Sequence, residues 1–197
     1  MGTLNISELS RKAIHLSNIV IPIGYLYIFK DKIDMLIILS ILLTFCFFIE
    51  IARGGNKIAS TFFYRYFIFM MRDDEQKGKL TGATWVFVGA LFTILLIPTP
   101  FSILALLFLS VGDSFAAIIG TQFPLIKLGK KTMSGSIAGF IMCVSVGLIV
   151  DINISYETLF FGAFMAMLIE LIPIPIDDNV RIPIFSGFSM YCFNIIL

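Results

Sequence analysis

An all-α, polytopic bundle crossing a membrane about seven times is the fold class this sequence predicts, and three observations predict it. The first is composition. Of 197 residues, 58% are hydrophobic and 14% are charged, whereas an average soluble domain is about a quarter charged. So few polar groups cannot cover a globule, and lipid must cover much of the chain. The second is that apolar runs near the roughly 17–25 residues needed to cross the hydrocarbon layer recur along the chain. The third is that the basic residues segregate between alternate connections, as the positive-inside rule requires.

The predicted spans are 14–29, 34–51, 81–97, 101–119, 136–150, 156–172 and 182–197. The first follows a polar start with Glu8, Arg11 and Lys12 and lacks an Ala-x-Ala cleavage pattern, so it reads as a retained span, not a signal peptide. KDKID separates it from the second span. The run 59–71 carries Arg65 among aromatic residues and is too short to cross comfortably. An interfacial or re-entrant helix is the reading for it. PTP and DINIS are terse turns between later spans. No repeat and no soluble domain is apparent, which leaves one integral membrane catalytic domain over 1–197.

An odd number of spans puts the termini on opposite sides. With the N-terminus in the cytosol, the inner side holds Arg11, Lys12, Arg53, Lys57, Arg65, Arg72, Lys77, Lys79, Lys127, Lys130, Lys131 and Arg181. The outer side then holds only Lys30 and Lys32. This bias predicts a multi-pass protein whose polar loops face the cytosol. The net charge of +1 offers no electrostatic support for nucleic-acid binding. Cys46, Cys143 and Cys192 are widely spaced within apolar runs and read as small core residues, not a disulfide or zinc framework.

Ionisable groups inside spans cost about 3 kcal/mol each on insertion scales and are functional candidates by default. His15, Glu50, Asp113 and Glu170 all fall toward the cytosolic ends of their spans. His15 also suits an interfacial position, Glu50 with Arg53 also suits an intrahelical ion pair, and Glu170 lies within a turn of the surface. Asp113 is the deepest, roughly 10 Å in at helical rise.

The stretch GDSFAAIIGTQFPLIKLGKKTMSGSIAG, from Gly112 to Gly139, has the parts of a phosphate cradle. Lys130 and Lys131 supply compact positive charge. Thr132, Ser134 and Ser136 supply hydroxyls, and Gly135 lets backbone approach a ligand at the start of a helix. Asp113 could hold a divalent cation that bridges phosphate oxygens. The Walker pattern GxxxxGK[ST] is absent. A second acidic constellation, Glu170 followed by Asp177, Asp178 and Asn179, lies on the same predicted face. It could bind metal or a ribose and base, or be a solvated turn.

These pieces together resemble the CTP-dependent lipid-alcohol kinases: dolichol kinase, phytol kinase and yeast-type diacylglycerol kinase. Their core is similar to the C-terminal part of phosphatidate cytidylyltransferase. ELSRKAIH, with Arg11, Lys12 and His15, resembles the family's Arg-Lys-x-x-His element. Glu50 to Arg53 resembles its Glu-x-x-Arg, and Glu75 with TGATW resembles the segment before its next span. The likeness covers most of the chain in order. Many relatives carry Glu where this chain has Ser134, which can only exchange hydrogen bonds.

The resemblance implies CTP as co-substrate, a divalent cation, expected to be Mg2+, and a lipid alcohol of the polyprenol or dolichol type, with phytol or diacylglycerol as other acceptors. Asp113, with Asp178, is expected to hold the metal. Asp113, His15, Asp178 and Glu170 are the expected catalytic set. Lys130, Lys131, Thr132, Ser134, Gly135, Ser136, Asp177 and Asn179 are expected to bind nucleotide and phosphate. Arg11, Lys12, Glu50, Arg53 and Glu75 are expected in support. The readings weighed against it are a cytidylyltransferase that makes a CDP-linked lipid and a small membrane transporter, for which the two related halves common in transporters are not evident.

Overall fold

The computed structural model describes residues 6–197 and is mostly helical. In chain order the helices are α1 (Ile6–Ser17), α2 (Val20–Tyr27), α3 (Lys32–Gly55), α4 (Lys57–Phe67), a 3-10 turn (Ile68–Met70) and the short α5 (Asp73–Gln76). They continue with α6 (Gly82–Leu96), α7 (Phe101–Leu107), a π-helical segment (Phe108–Asp113), α8 (Ser114–Gln122), α9 (Met133–Val150), α10 (Tyr156–Leu171) and α11 (Asp178–Ile196). Between α8 and α9 the chain forms a small antiparallel hairpin, β1 (Lys127–Leu128) with β2 (Lys131–Thr132). Gly129, at φ 64, supplies the left-handed residue its turn needs.

Among the described residues, three helices are long and apolar enough to cross a membrane: α3, the continuous Phe101–Gln122 rod of α7, π segment and α8, and α9. The α6 helix is apolar but shorter, at 15 residues. The run 14–29 is not one helix. Pro22 has no N–H for the carbonyl of Asn18, and the chain turns there instead. The Ser17 hydroxyl donates to the Ile14 carbonyl (2.6 Å), and Pro22 falls in the first turn of α2, where its missing donor costs little. His15 therefore closes α1 instead of opening a span. At 57–67, the Asn56 side chain caps α4, which buries none of its residues and leaves Ile58, Phe62 and Tyr66 open at helical spacing.

The Phe101–Gln122 rod is the centre of the bundle. Every residue from Phe101 to Asp113 is buried, and the core gathers Leu104 and Phe108 with Ile94, Met167, Ile182 and Met190 from neighbouring helices. By contrast α3 stands at the edge, with Ile37, Ile41, Phe45 and Phe48 exposed. Small residues set one close crossing. Gly112, Ala116 and Gly120 face Gly135 and Gly139 of α9, and a Cβ at Gly139 would come within 2.9 Å of the Gly112 carbonyl. Four-residue spacing of small side chains lets membrane helices approach this closely. Pro183 fixes another crossing. It cannot donate to the Asn179 carbonyl, and α6 packs Gly89 against that carbonyl.

Candidate functional site

The π-helical segment ends at Asp113. Such segments insert a residue into an α-helix and are frequent at functional sites. Here the wider turn leaves carbonyls within reach of other helices: His15 Nε2 lies 3.2 Å from the Leu109 carbonyl and Cys143 Sγ 3.8 Å from that of Phe108. Asp113 is 5% exposed. Lys12 and His15, three residues apart on α1, flank it, with Lys12 Nζ at 2.6 Å from Oδ2 and His15 Nε2 at 3.5 Å.

Three carboxylates converge on one ammonium. Lys131, in β2, places its Nζ 3.7 Å from Asp113, 2.5 Å from Glu170 and 3.3 Å from Asp178. Burial works against the Lys131 charge, but Asp113, Glu170 and Asp178 outweigh it and hold its pKa above the usual lysine value. Glu170 lies in the last turn of α10 and is 2% exposed, and among the described residues its Oε2 has no hydrogen-bond partner. Asp178 opens α11 and is held by Arg181 at 2.5 Å. Arg181 also donates to the Ile172 carbonyl and, at 3.4 Å, to that of Glu170, so it ties the end of α10 to the start of α11.

Of these groups Lys12, Asp113, Lys131, Glu170 and Asp178 line one polar cavity of about 810 Å³, which Lys130, Thr132, Gly135, Ser136, Asp177 and Arg11 also border. Its lining holds the cations Arg11, Lys12, Arg72, Lys130 and Lys131 and the acids Glu8, Asp74, Asp113, Glu170, Asp177 and Asp178. The two signs nearly balance, so the side chains neutralise one another. A polyanion entering this cavity meets cations and carboxylates together and needs further positive charge to offset the carboxylates.

Other residues singled out in the sequence are placed differently. The Ser134 hydroxyl donates to the Phe123 carbonyl at 2.5 Å and accepts from the Leu125 amide, which fastens the α8–α9 loop. Asn179 is buried and donates its side-chain amide to Asp177. Glu50, Arg53 and Glu75 form a separate network under the 72–82 loop. Glu50 Oε1 accepts from the Thr81 amide (2.8 Å) and from the hydroxyls of Thr81 and Thr84, while Oε2 pairs with Arg53 at 2.5 Å. Arg53 donates to the carbonyls of Glu75 and Lys79. Among the described residues, no three His, Cys, Asp or Glu side chains are arranged to hold a metal ion by themselves.

Sequence reasoning passed over Arg72 and Arg181 as site residues. Arg72 borders the cavity and pairs with Asp177 at 3.0 Å. Only its place between an aromatic helix and the acidic Asp73–Glu75 run signalled it.

No family model matches the chain, and no solved structure matches it. An uncharacterized protein of Rickettsia prowazekii is 26% identical over 198 residues, covering 96% of each chain. An uncharacterized protein of Methanocaldococcus jannaschii is 31% identical over 188 residues, covering 92% of this chain and 91% of that one. The chain belongs to the family of this archaeal protein. It is also similar to the probable phytol kinase 2, chloroplastic, of Glycine max, 29% identical over 130 residues. That match covers 56% of this chain and 44% of the plant protein, and relates the family to lipid kinases in part only.

Proposed function

We propose that the chain is a membrane-embedded phosphotransferase that moves the γ-phosphate of a nucleoside triphosphate to a lipid alcohol. The observation that carries this reading is the convergence of Asp113, Glu170 and Asp178 on Lys131 in a cavity also lined by Lys12, Lys130, Thr132 and Ser136. The partial similarity to plant phytol kinases supports it and favours an isoprenoid alcohol as acceptor. The donor is CTP by family resemblance. The cavity faces the cytosol in a multi-pass bundle, as the distribution of basic residues suggests.

Phosphoryl transfer is mainly positioning and charge neutralisation. In this reading the alcohol oxygen attacks the γ-phosphorus, the bond to the β–γ bridging oxygen breaks, and a nucleoside diphosphate leaves. The alcohol proton passes to a base, either a carboxylate of the cavity or His15 beside Asp113. Lys130 and Lys131 meet the phosphate oxygens, with the Thr132 and Ser136 hydroxyls beside them. The residues fit a divalent cation in one respect: Asp113 and Asp178 already share one positive charge, the Lys131 ammonium. Magnesium typically takes one or two protein carboxylates plus phosphate oxygens, so these two would hold it and it would offset charge on the phosphates.

The test is transfer of label from γ-labelled CTP and ATP to phytol, polyprenol, dolichol and diacylglycerol, using purified protein in lipid nanodiscs. A labelled lipid phosphate with release of a nucleoside diphosphate is expected. Release of pyrophosphate would replace the kinase with a cytidylyltransferase, and no transfer to any alcohol would overturn the reading.

A further inference from the structure

We infer that Arg72 grips the triphosphate of the nucleotide, and that Asp177 parks its guanidinium until the nucleotide arrives. The inference rests on the phosphotransferase reading above. Arg72 borders the polar cavity with its side chain 44% exposed, the most open of the paired cavity cations. Its Nη1 lies 3.0 Å from Asp177 Oδ2, and its Nε lies 4.0 Å from Glu75 Oε1.

Both ends of this arrangement are anchored. The Arg72 backbone is held, because its amide donates to Glu75 Oε2 at 3.2 Å. Glu75 is buried, and its other oxygen takes the Gly82 amide at 3.0 Å. Asp177 is fixed through its other oxygen, which accepts the Asn179 amide at 3.0 Å and the Asn179 side chain at 2.7 Å. The bond between them therefore joins two positioned groups through one exposed, exchangeable contact. The guanidinium is the open side of this pair, and Asp177 holds it through a single bond, whereas a guanidinium on phosphate oxygens makes paired, charge-assisted bonds. Asp177 also stands next to Asp178, which contacts Lys131. A triphosphate near Lys131 is thus within the same cavity as the parked guanidinium.

A structural clasp and a parked ligand make opposite forecasts for the two partners. If the pair were a clasp, R72Q and D177N would weaken the protein alike. If Asp177 competes with phosphate for Arg72, the two substitutions act with opposite sign on nucleotide affinity. The experiment measures binding of CTP and of its β,γ-methylene analogue to the full chain in nanodiscs, beside KM and kcat for CTP and the melting temperature. Expected are about tenfold or greater weakening of both ligands in R72Q, partial recovery in R72K, and equal or tighter binding in D177N. Equal affinity of R72Q and wild type, or parallel weakening in R72Q and D177N with matching losses of melting temperature, would overturn the inference. Failure of the wild-type chain to bind either nucleotide would instead remove the underlying reading.

Discussion

Lys12 Nζ lies 2.6 Å from Asp113 Oδ2, an ion pair joining the first helix to the centre of the bundle across 101 positions of sequence. Both side chains are largely buried. Removing one partner of such a pair strands the other charge and costs about 3–5 kcal/mol, while replacing both with apolar groups is often neutral. Asp113→Leu alone should therefore lower the melting temperature sharply. The double substitution Lys12→Met with Asp113→Leu should restore most of it without restoring phosphoryl transfer. Thermal melts of the four variants of this cycle, read beside label transfer, check both halves.

Glu50 accepts from three donors of the α6 entry and pairs with Arg53. Glu50→Ala should destabilise the fold by about 3 kcal/mol, because buried donors and a buried guanidinium lose their acceptor together. Neither Glu50 nor Arg53 lines the polar cavity, and Glu75 keeps its own bonds to the Arg72 and Gly82 amides, so the folded fraction should keep its affinity for CTP. Denaturant titration followed by nucleotide binding on the refolded fraction separates the two; a lost affinity at unchanged stability would contradict the placement.

The raised pKa of Lys131 makes a prediction in alkali. A lysine whose folded pKa exceeds its unfolded one contributes stability that is complete below the unfolded value and fades as pH climbs through the folded one. Lys131 should add no pH dependence through the neutral range and a fall in stability above about pH 10, the ordinary lysine value. Melting curves from pH 7 to 11 should show that fall in the wild type and a smaller one in Lys131→Met.

Gly139 lies against the Gly112 carbonyl and the Met167 side chain. Gly139→Val should separate α8 from α9 and cost about 1–3 kcal/mol by overpacking, and it should widen the cavity that Gly120 and Gly135 line. Unfolding in detergent measures the first effect, and a raised KM for nucleotide measures the second.

The basic residues predict the sidedness of the bundle. Single cysteines at Lys77 or Lys127, in a chain with Cys46, Cys143 and Cys192 replaced, should react with impermeant reagent from the cytosolic side. A cysteine at Asp151 should react only from the other side. Labelling of all three from one side would contradict the proposed topology.

Composition and hydropathy were enough to reveal a helical chain with apolar helices of membrane length, because the bilayer imposes its demand residue by residue. Charge in an apolar run marked Asp113, and the lysines and hydroxyls after Gly129 marked the loop beside it, since local chemistry alone makes both costly or useful where they stand. The break at Ser17–Asn18 was less legible, although Pro22 carried its signal. What the tertiary structure decided was partnership. It set Lys12 and His15 against Asp113, and brought Asp113, Glu170 and Asp178 around one ammonium. It sent Glu50 and Arg53 to a separate network and turned Ser134 into its own loop. It also brought Arg72 to Asp177, 105 positions away. Those pairings depend on which helices cross and how closely, which Gly112, Gly120, Gly135 and Gly139 permit by having no side chain, and no single stretch of sequence encodes a distance between helices.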